Sequence, residues 1–211
     1  MNKIYTGLEG YRIGEMLQSE KYRNDKLGKE YHLKMFPNSI VSKYLKISNE
    51  NNNYILLKEI IKNTSLKKYN EILPKNYCLV QLRVGDVIDL DKWSVDDFLN
   101  QERLYKNGIN YVKDKKFFAN KIYTLKNYNV KNILISAGSH FLLDSFKKSY
   151  EYINKIKKIF ENEIFNVKLL LGIHPDDNMI ISLNANYFIG SGGSYSKLLC
   201  KITNGIVLSN I

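Results

Sequence analysis

The stretch Tyr77-Cys78-Leu79-Val80-Gln81-Leu82-Arg83-Val84-Gly85-Asp86 decides the fold class of this chain. Its apolar run predicts a buried strand that stops at Arg-x-Gly-Asp. A buried parallel strand presents functional residues at its carboxyl end, where the loops open. An arginine at that point, followed by a glycine that lets the backbone turn, suits a planar anion such as a phosphate. The motif therefore favours a ligand site over a plain structural turn.

Strand and helix signals alternate from this stretch to the end of the chain. Further strands are predicted at 132–137, 167–173, 187–190 and 205–208, and helices at 94–105, 111–127, 141–160, 178–184 and 195–202. Ser94, with Asp97 three residues later, predicts a capping box at the start of the first of these helices. Such alternation predicts an α/β fold in which helices cover both faces of a parallel sheet. We therefore expect residues 76–211 to form a Rossmann-like domain.

Residues 1–75 have a different texture. A short strand-like start runs into the glycines Gly7, Gly10 and Gly14, and a polar helix is predicted over 16–31. A second helix is predicted over 54–62, and Pro74 interrupts the chain just before the Arg83 strand. These residues are predicted to form a reduced N-terminal region.

The composition is that of a chain with a folded core, and the net charge of the chain has several explanations. The chain has 211 residues, 44% of them hydrophobic, and a formal net charge of +11. Nucleic-acid binding, an anionic substrate such as a sugar nucleotide, and compositional drift all produce such a charge. Lysines are spread along the chain without a block of five or more like charges, and no nucleic-acid motif accompanies them. These features argue against nucleic acid as the main partner.

Cysteine usage and hydropathy suggest a cytoplasmic protein. Cys78 and Cys200 lie inside apolar segments and are predicted to be buried free thiols, and the cysteines and histidines lack zinc spacing. The sequence shows neither a signal peptide nor an apolar stretch of about 18 residues that could cross a membrane.

A second motif is Tyr187-Phe188-Ile189-Gly190-Ser191-Gly192-Gly193-Ser194-Tyr195-Ser196. It is typical of a strand, a loop of small residues and a helix start. The free N–H groups of a helix start bind phosphate, and glycines let the ligand approach closely. An ordinary helix after a tight turn explains the same residues equally well. Because Arg83 stands at another strand end, two such sites from one parallel sheet would converge on one crevice.

A third motif is His174-Pro175-Asp176-Asp177-Asn178-Met179, between a strand and a helix. Either aspartate could cap the helix, and one of them could accept hydrogen bonds from a ribose or a base. His174 is interpreted as a loop residue, and His32 and His140 as structural or exposed residues.

The order of these motifs resembles that of the fucosyltransferase superfamily. Gln81-Leu82-Arg83-Val84-Gly85-Asp86 is similar to its His-x-Arg-x-Gly-Asp motif, and residues 133–139 are similar to its strand ending in small residues. Residues 176–196 resemble its last block, an Asp, a Met-bearing helix, a strand and a serine-rich loop. The resemblance covers roughly residues 77–208. Gln81 stands where the family has histidine, and Val84 where the α-1,2 enzymes have a second arginine.

The resemblance implies a GT-B-like, inverting transferase that uses a GDP-sugar without a metal ion or other cofactor, with a glycan or protein as acceptor. Arg83 would stabilise the leaving diphosphate, and Asp86 would fix the turn after it or pair with a nearby base. The implied nucleotide-binding residues are Gln81, Arg83, Gly138, Asp176, Asp177, Gly192, Gly193, Ser194, Tyr195 and Ser196, and the implied catalytic residues are Arg83 and Asp86. Because of the departures at Gln81 and Val84, a non-catalytic relative that binds a nucleotide or glycan is the alternative.

Overall fold

The computed structural model describes residues 13–18, 26–48, 52–69, 73–100, 111–139 and 143–209. Along these residues the elements are α1 (Ile13–Met16), α2 (Lys26–Met35), α3 (Ile40–Ile47), α4 (Tyr54–Tyr69), β1 (Tyr77–Arg83), α5 (Asp86–Asp89), α6 (Val95–Leu99), α7 (Lys115–Asn127), β2 (Asn132–Gly138), α8 (Lys147–Glu161), β3 (Asn166–Leu170), α9 (Pro175–Leu183), β4 (Tyr187–Gly190), α10 (Gly193–Ile202) and β5 (Ile206–Val207). The alternation of strands and helices after residue 76 is confirmed.

The described strands form one five-stranded parallel sheet in the order β3-β2-β1-β4-β5. β1 lies at its centre and pairs with β2 from Tyr77 opposite Asn132 to Arg83 opposite Gly138. On its other side β1 pairs with β4, and this register ends at Gln81 opposite Gly190. The chain therefore builds the sheet outward in one direction through β2 and β3, and then crosses β1 to add β4 and β5.

Helices cover both faces of the sheet, as predicted. Every residue of β1 from Tyr77 to Leu82 is buried, which explains why Gln81 is the only strongly polar residue in this stretch. Cys78, Val80 and Leu82 belong to an apolar layer with α5, α6, α7 and α8. Tyr77 and Leu79 belong to the opposite layer, with α1, α3, α4, α9 and α10. The side chains of Gln81 and Arg83 alternate with the first set, so the pleat directs them to the second face.

The described helices before β1 lie in this second layer. Ile40 and Ile61 are buried in one apolar cluster with Met179 of α9 and Leu198 of α10. Full burial of each such side chain contributes about 1.5–3 kcal/mol. This packing sets α1 and α3 against the beginnings of α9 and α10, next to the carboxyl end of β1.

Several predicted boundaries are wrong by a few residues. The helix predicted over 111–127 begins at Lys115, because the Asp114 side chain caps it by accepting from the Phe117 N–H at 2.7 Å. The helix predicted over 141–160 begins at Lys147, and residues 141 and 142 lie outside the described part. The helix predicted over 178–184 begins earlier, at Pro175, whose fixed φ suits the first position of a helix.

Other local predictions also have clear outcomes. The Ser94–Asp97 capping box is confirmed, with the Asp97 N–H donating to Ser94 Oγ at 3.2 Å and the Ser94 N–H donating to Asp97 Oδ2 at 2.7 Å. The helix predicted over 16–31 is wrong in its bounds, since Leu17 and Gln18 form a turn and α2 continues to Met35, while residues 19–25 lie outside the described part. Both cysteines are free thiols, with Cys78 buried and Cys200 only partly so.

Candidate functional site

The candidate site lies where β1 and β4 end side by side. The connection after β1 leads towards β2 on one side, and β4 lies on the other side of β1. The loops after these two strands therefore diverge, and such a switch point is where open α/β sheets bind ligands. Arg83 is the last residue of β1, and Ser191-Gly192-Gly193-Ser194, here called the glycine loop, follows β4 and enters α10.

Arg83 is held against its own turn. Its Nη2 lies 2.5 Å from Asp86 Oδ1, and its Nη1 donates to the Val84 carbonyl. The side chain of Arg83 is 10% exposed and that of Asp86 is 20% exposed. These two contacts orient the planar guanidinium and leave part of its donor fork for another acceptor, since a guanidinium carries five N–H groups.

The turn after Arg83 requires a glycine. Gly85 has φ +80°, and a Cβ built on it would lie 1.9 Å from Ser139 Oγ at the end of β2. Its N–H donates to Ser149 Oγ of α8 at 2.8 Å. Gly138 also contacts this turn, because its carbonyl accepts from the Val84 N–H at 3.0 Å. The Arg-x-Gly-Asp turn is thus fixed from two sides by neighbouring elements.

The glycine loop reaches Arg83 directly. Gly192 (φ +125°) and Gly193 (φ +83°) adopt backbone conformations that L side chains rarely adopt. A Cβ built on Gly193 would lie 4.0 Å from Arg83 Cδ and 3.8 Å from Cε1 of Tyr111. Gly192 is the N-cap of the ten-residue helix α10 and provides no capping side chain. The structure therefore brings the two sequence motifs together, and it adds Tyr111, which no sequence signal had marked.

The remaining loop residues take part in internal contacts. The Ser194 carbonyl accepts from Gln18 Nε2 at 2.7 Å. A Cβ on Gly14 would lie 2.5 Å from the Ser194 carbonyl carbon, so α1 packs closely against the loop. The Tyr195 hydroxyl donates to the Pro175 carbonyl at 3.0 Å, and Ser196 is buried. The beginnings of α1, α9 and α10 therefore meet at this end of the sheet.

Gln81 lies beneath the site. It is 3% exposed, and its Oε1 accepts from Asn178 Nδ2 at 2.8 Å and from Ser136 Oγ. Asn178 Oδ1 is buried without a partner among the described residues. Gln81 thus joins β1 to β2 and α9 through its side chain.

The expectation that Asp176 or Asp177 caps α9 is wrong. The N-cap is His174, whose Nδ1 accepts from the Asp176 N–H at 3.2 Å. The Asp176 carboxylate instead accepts from the Ile40 N–H at 3.1 Å and so satisfies the first turn of α3, while Asp177 is half-buried in the first turn of α9. Burial raises the pKa of Asp176, and its Oδ1 has no partner among the described residues.

His32 is fully buried close to this junction. Its Nε2 lies 3.2 Å from Ser39 Oγ, and its Nδ1 has no partner in the described part of the chain. Burial, and then the nearby His174, lower the pKa of His32 to about 4. The structural role predicted for His32 is consistent with this neutral, buried ring, whereas His140 lies outside the described residues.

The described residues include no helix that is long and apolar enough to cross a bilayer. They contain no group of three or more His, Cys, Asp or Glu side chains that could hold a metal ion.

Neither a protein-family model nor a curated protein sequence matches the chain. Solved structures with a similar layout include those of POFUT1. Its complex with GDP has a TM-score of 0.44 and 10% sequence identity, over 88% of this chain and 60% of that chain. A complex with GDP-fucose has a TM-score of 0.43 at 10% identity, over 88% and 59% of the two chains. The chain thus spans about 60% of the length of the POFUT1 chain, and likeness of this degree assigns no activity to it.

Proposed function

We propose that this chain binds the diphosphate of a nucleotide sugar between Arg83 and the glycine loop, and that it transfers the sugar to a hydroxyl group. One observation carries the proposal. The Arg83 side chain at the end of β1 lies beside the first turn of α10, since a Cβ built on Gly193 would be 4.0 Å from Arg83 Cδ. A diphosphate has two adjacent anionic groups, and this arrangement offers a cationic fork beside helix N–H donors.

The proposed reaction needs charge stabilisation more than it needs a nucleophilic side chain. The bond between the anomeric carbon and the β-phosphate oxygen breaks, and its electron pair stays on that oxygen. The acceptor oxygen bonds to the anomeric carbon from the opposite face, which inverts its configuration, and the hydroxyl proton is released. Fixed guanidinium and amide donors stabilise the departing diphosphate, so the proposal includes no metal ion.

The other site residues have supporting roles in this proposal. Asp86 orients Arg83 through the 2.5 Å contact. Ser194 extends the diphosphate-binding surface of the glycine loop, and Asp177 contacts the nucleoside, whereas Ser196 is buried and supports the loop from within α10. Gln81 and Gly138 act from beneath, because the Gln81 amide and the Gly138 carbonyl are bonded within the protein. On the resemblance of the motifs, we propose GDP as the nucleotide and a fucosyltransferase-like activity.

Binding without transfer is the second candidate. It is favoured by Gln81, which occupies the position of the family histidine and has its side-chain oxygen bonded to Ser136 and Asn178. A glutamine cannot accept or release a proton near neutral pH as a histidine does. Release of GDP from GDP-sugars, with or without added glycan, distinguishes the two candidates, because a binding protein releases none.

A thermal-shift panel of GDP, UDP, CDP and their sugars tests the proposed ligand. A ligand that binds only the folded chain adds about 2.7 kcal/mol of stability when its free concentration is about a hundred times its Kd. For a chain of this size that is a rise in Tm of roughly 5–10 °C. We expect GDP and a GDP-sugar to give the largest rise. A panel in which no nucleoside diphosphate raises the Tm would contradict the proposal.

A further inference from the structure

We propose that Ser191 is the positioning residue that holds Arg83 and the glycine loop together for one ligand. The inference deepens the proposed function and rests on it. Ser191 is 2% exposed, so it is not itself a surface contact for a ligand. Its N–H donates to the Gln81 carbonyl at 2.9 Å, and its Oγ accepts from the Arg83 N–H at 2.6 Å. One residue therefore binds the backbone of β1 on both sides of Leu82.

The pattern of the parallel ladder explains why this residue is a serine. The register of β1 and β4 ends with Gln81 opposite Gly190, and the Ser191 N–H still makes the next regular bond, to Gln81. Continuing the ladder by one step would direct the Arg83 N–H to the main-chain carbonyl of Ser191. It donates to the side-chain hydroxyl of Ser191 instead. The hydroxyl thus takes the place of the carbonyl at the last rung.

This exchange allows β4 to leave the sheet without losing its connection to Arg83. Because the Ser191 carbonyl is released from the ladder, the next peptide can turn into Gly192 at φ +125° and Gly193 at φ +83°. The turn begins α10 beside the Arg83 side chain. An alanine at position 191 would leave a buried N–H on Arg83 without its acceptor, which costs more than a typical hydrogen bond contributes. The two halves of the site would then no longer share a fixed separation.

A double-mutant cycle with GDP separates positioning from plain stabilisation. The variants are Arg83→Gln, Ser191→Ala and their combination, with GDP affinity measured by isothermal titration calorimetry. We expect Arg83→Gln to weaken GDP binding at least tenfold in the wild-type background and less than threefold in the Ser191→Ala background. Two groups that act on one ligand only when held together show such coupling.

Ser182→Ala is the matched control. Ser182 is a fully buried serine in α9, with Oγ 2.8 Å from Thr203 Oγ1, and its loss also removes a buried hydroxyl. In the Ser182→Ala background we expect Arg83→Gln to weaken GDP binding as strongly as in the wild type. If Ser191→Ala does not fold, Ser191→Cys replaces it, because a thiol is a weak acceptor of similar size and should give an intermediate coupling.

The outcomes distinguish this inference from the proposal on which it rests. Wild-type chain that does not bind GDP overturns the proposed nucleotide and this inference with it. GDP binding in which Arg83→Gln has the same effect in all backgrounds overturns only the role of Ser191. Loss of the Arg83 effect in the Ser182→Ala background as well would show general destabilisation and would also overturn that role.

Discussion

Replacing His32 with glutamine should make the folding stability of this chain less sensitive to mild acid. His32 is fully buried, and burial, followed by the nearby His174, lowers the pKa of its ring from 6.5 to about 4. The folded chain therefore keeps the ring neutral at a pH where the unfolded chain protonates it. Glutamine does not titrate, and its amide can hydrogen-bond to Ser39 as the His32 Nε2 does.

The sign and size of the effect follow from linkage. The pKa of His32 is lower in the folded chain than in the unfolded chain. The contribution of the neutral ring to folding stability is therefore fully present above pH 6.5 and is lost as the pH falls towards 4. With these two values the loss is about 1.4 kcal/mol at pH 5.5 and about 2.5 kcal/mol at pH 4.5. The pKa of Asp176 is raised by burial, so its contribution changes in the opposite direction. That group is present in both chains and cancels in their difference.

Urea denaturation of both chains at about pH 7.5 and about pH 5.5 measures the effect. The free energy of unfolding of wild type minus that of His32→Gln should fall by about 1.4 kcal/mol between these conditions. A difference between the two chains that is the same at both pH values would refute the assignment of a neutral His32.

Three substitutions test the local geometry. Gly85→Ala places a Cβ 1.9 Å from Ser139 Oγ at positive φ. The variant should therefore have a Tm far below that of the wild type or no cooperative thermal transition. The Cβ of Gly193→Ala meets only ordinary contacts, so the variant should cost about 1–2 kcal/mol for its left-handed backbone. That cost lowers the Tm by roughly 2–8 °C. An equal loss of Tm in Gly85→Ala and Gly193→Ala would contradict the geometry of these turns. Ser94→Ala removes the oxygen that accepts from the Asp97 N–H and should cost about 1 kcal/mol, and an unchanged urea midpoint would show that the capping box is not formed.

The sheet was predictable because its strongest signals are local. The run from Tyr77 to Leu82 is buried on both faces and apolar except at Gln81, as expected for the central strand of a covered parallel sheet. The glycine loop was also visible, because Gly192 and Gly193 have positive φ, which favours glycine. Local composition therefore located both halves of the candidate site.

The contacts between distant segments were not predictable in the same way. Asp176 precedes Asp177 in what reads as a capping motif, yet its carboxylate accepts from Ile40, 136 residues away, and His174 caps α9. Ser191 looked like any serine in a small-residue loop, and its bond to the Arg83 N–H depends on the register of two strands. Tyr111 approaches Gly193 only through tertiary packing. Such pairings depend on how elements pack, which a single sequence does not specify.

The relative affinity for GDP and GMP tests most directly whether Arg83 and the glycine loop hold one diphosphate. Lys126→Gln is the control for lost charge, because Lys126 at the end of α7 pairs with Glu163 at 2.5 Å, towards the amino ends of β2 and β3, whereas Arg83 lies at the carboxyl end of β1. We predict that the wild type and Lys126→Gln bind GDP at least tenfold more tightly than GMP, about 1.4 kcal/mol. Arg83→Gln and Gly193→Ala should each abolish that preference. Retention of the wild-type preference by either of these two variants would contradict the account.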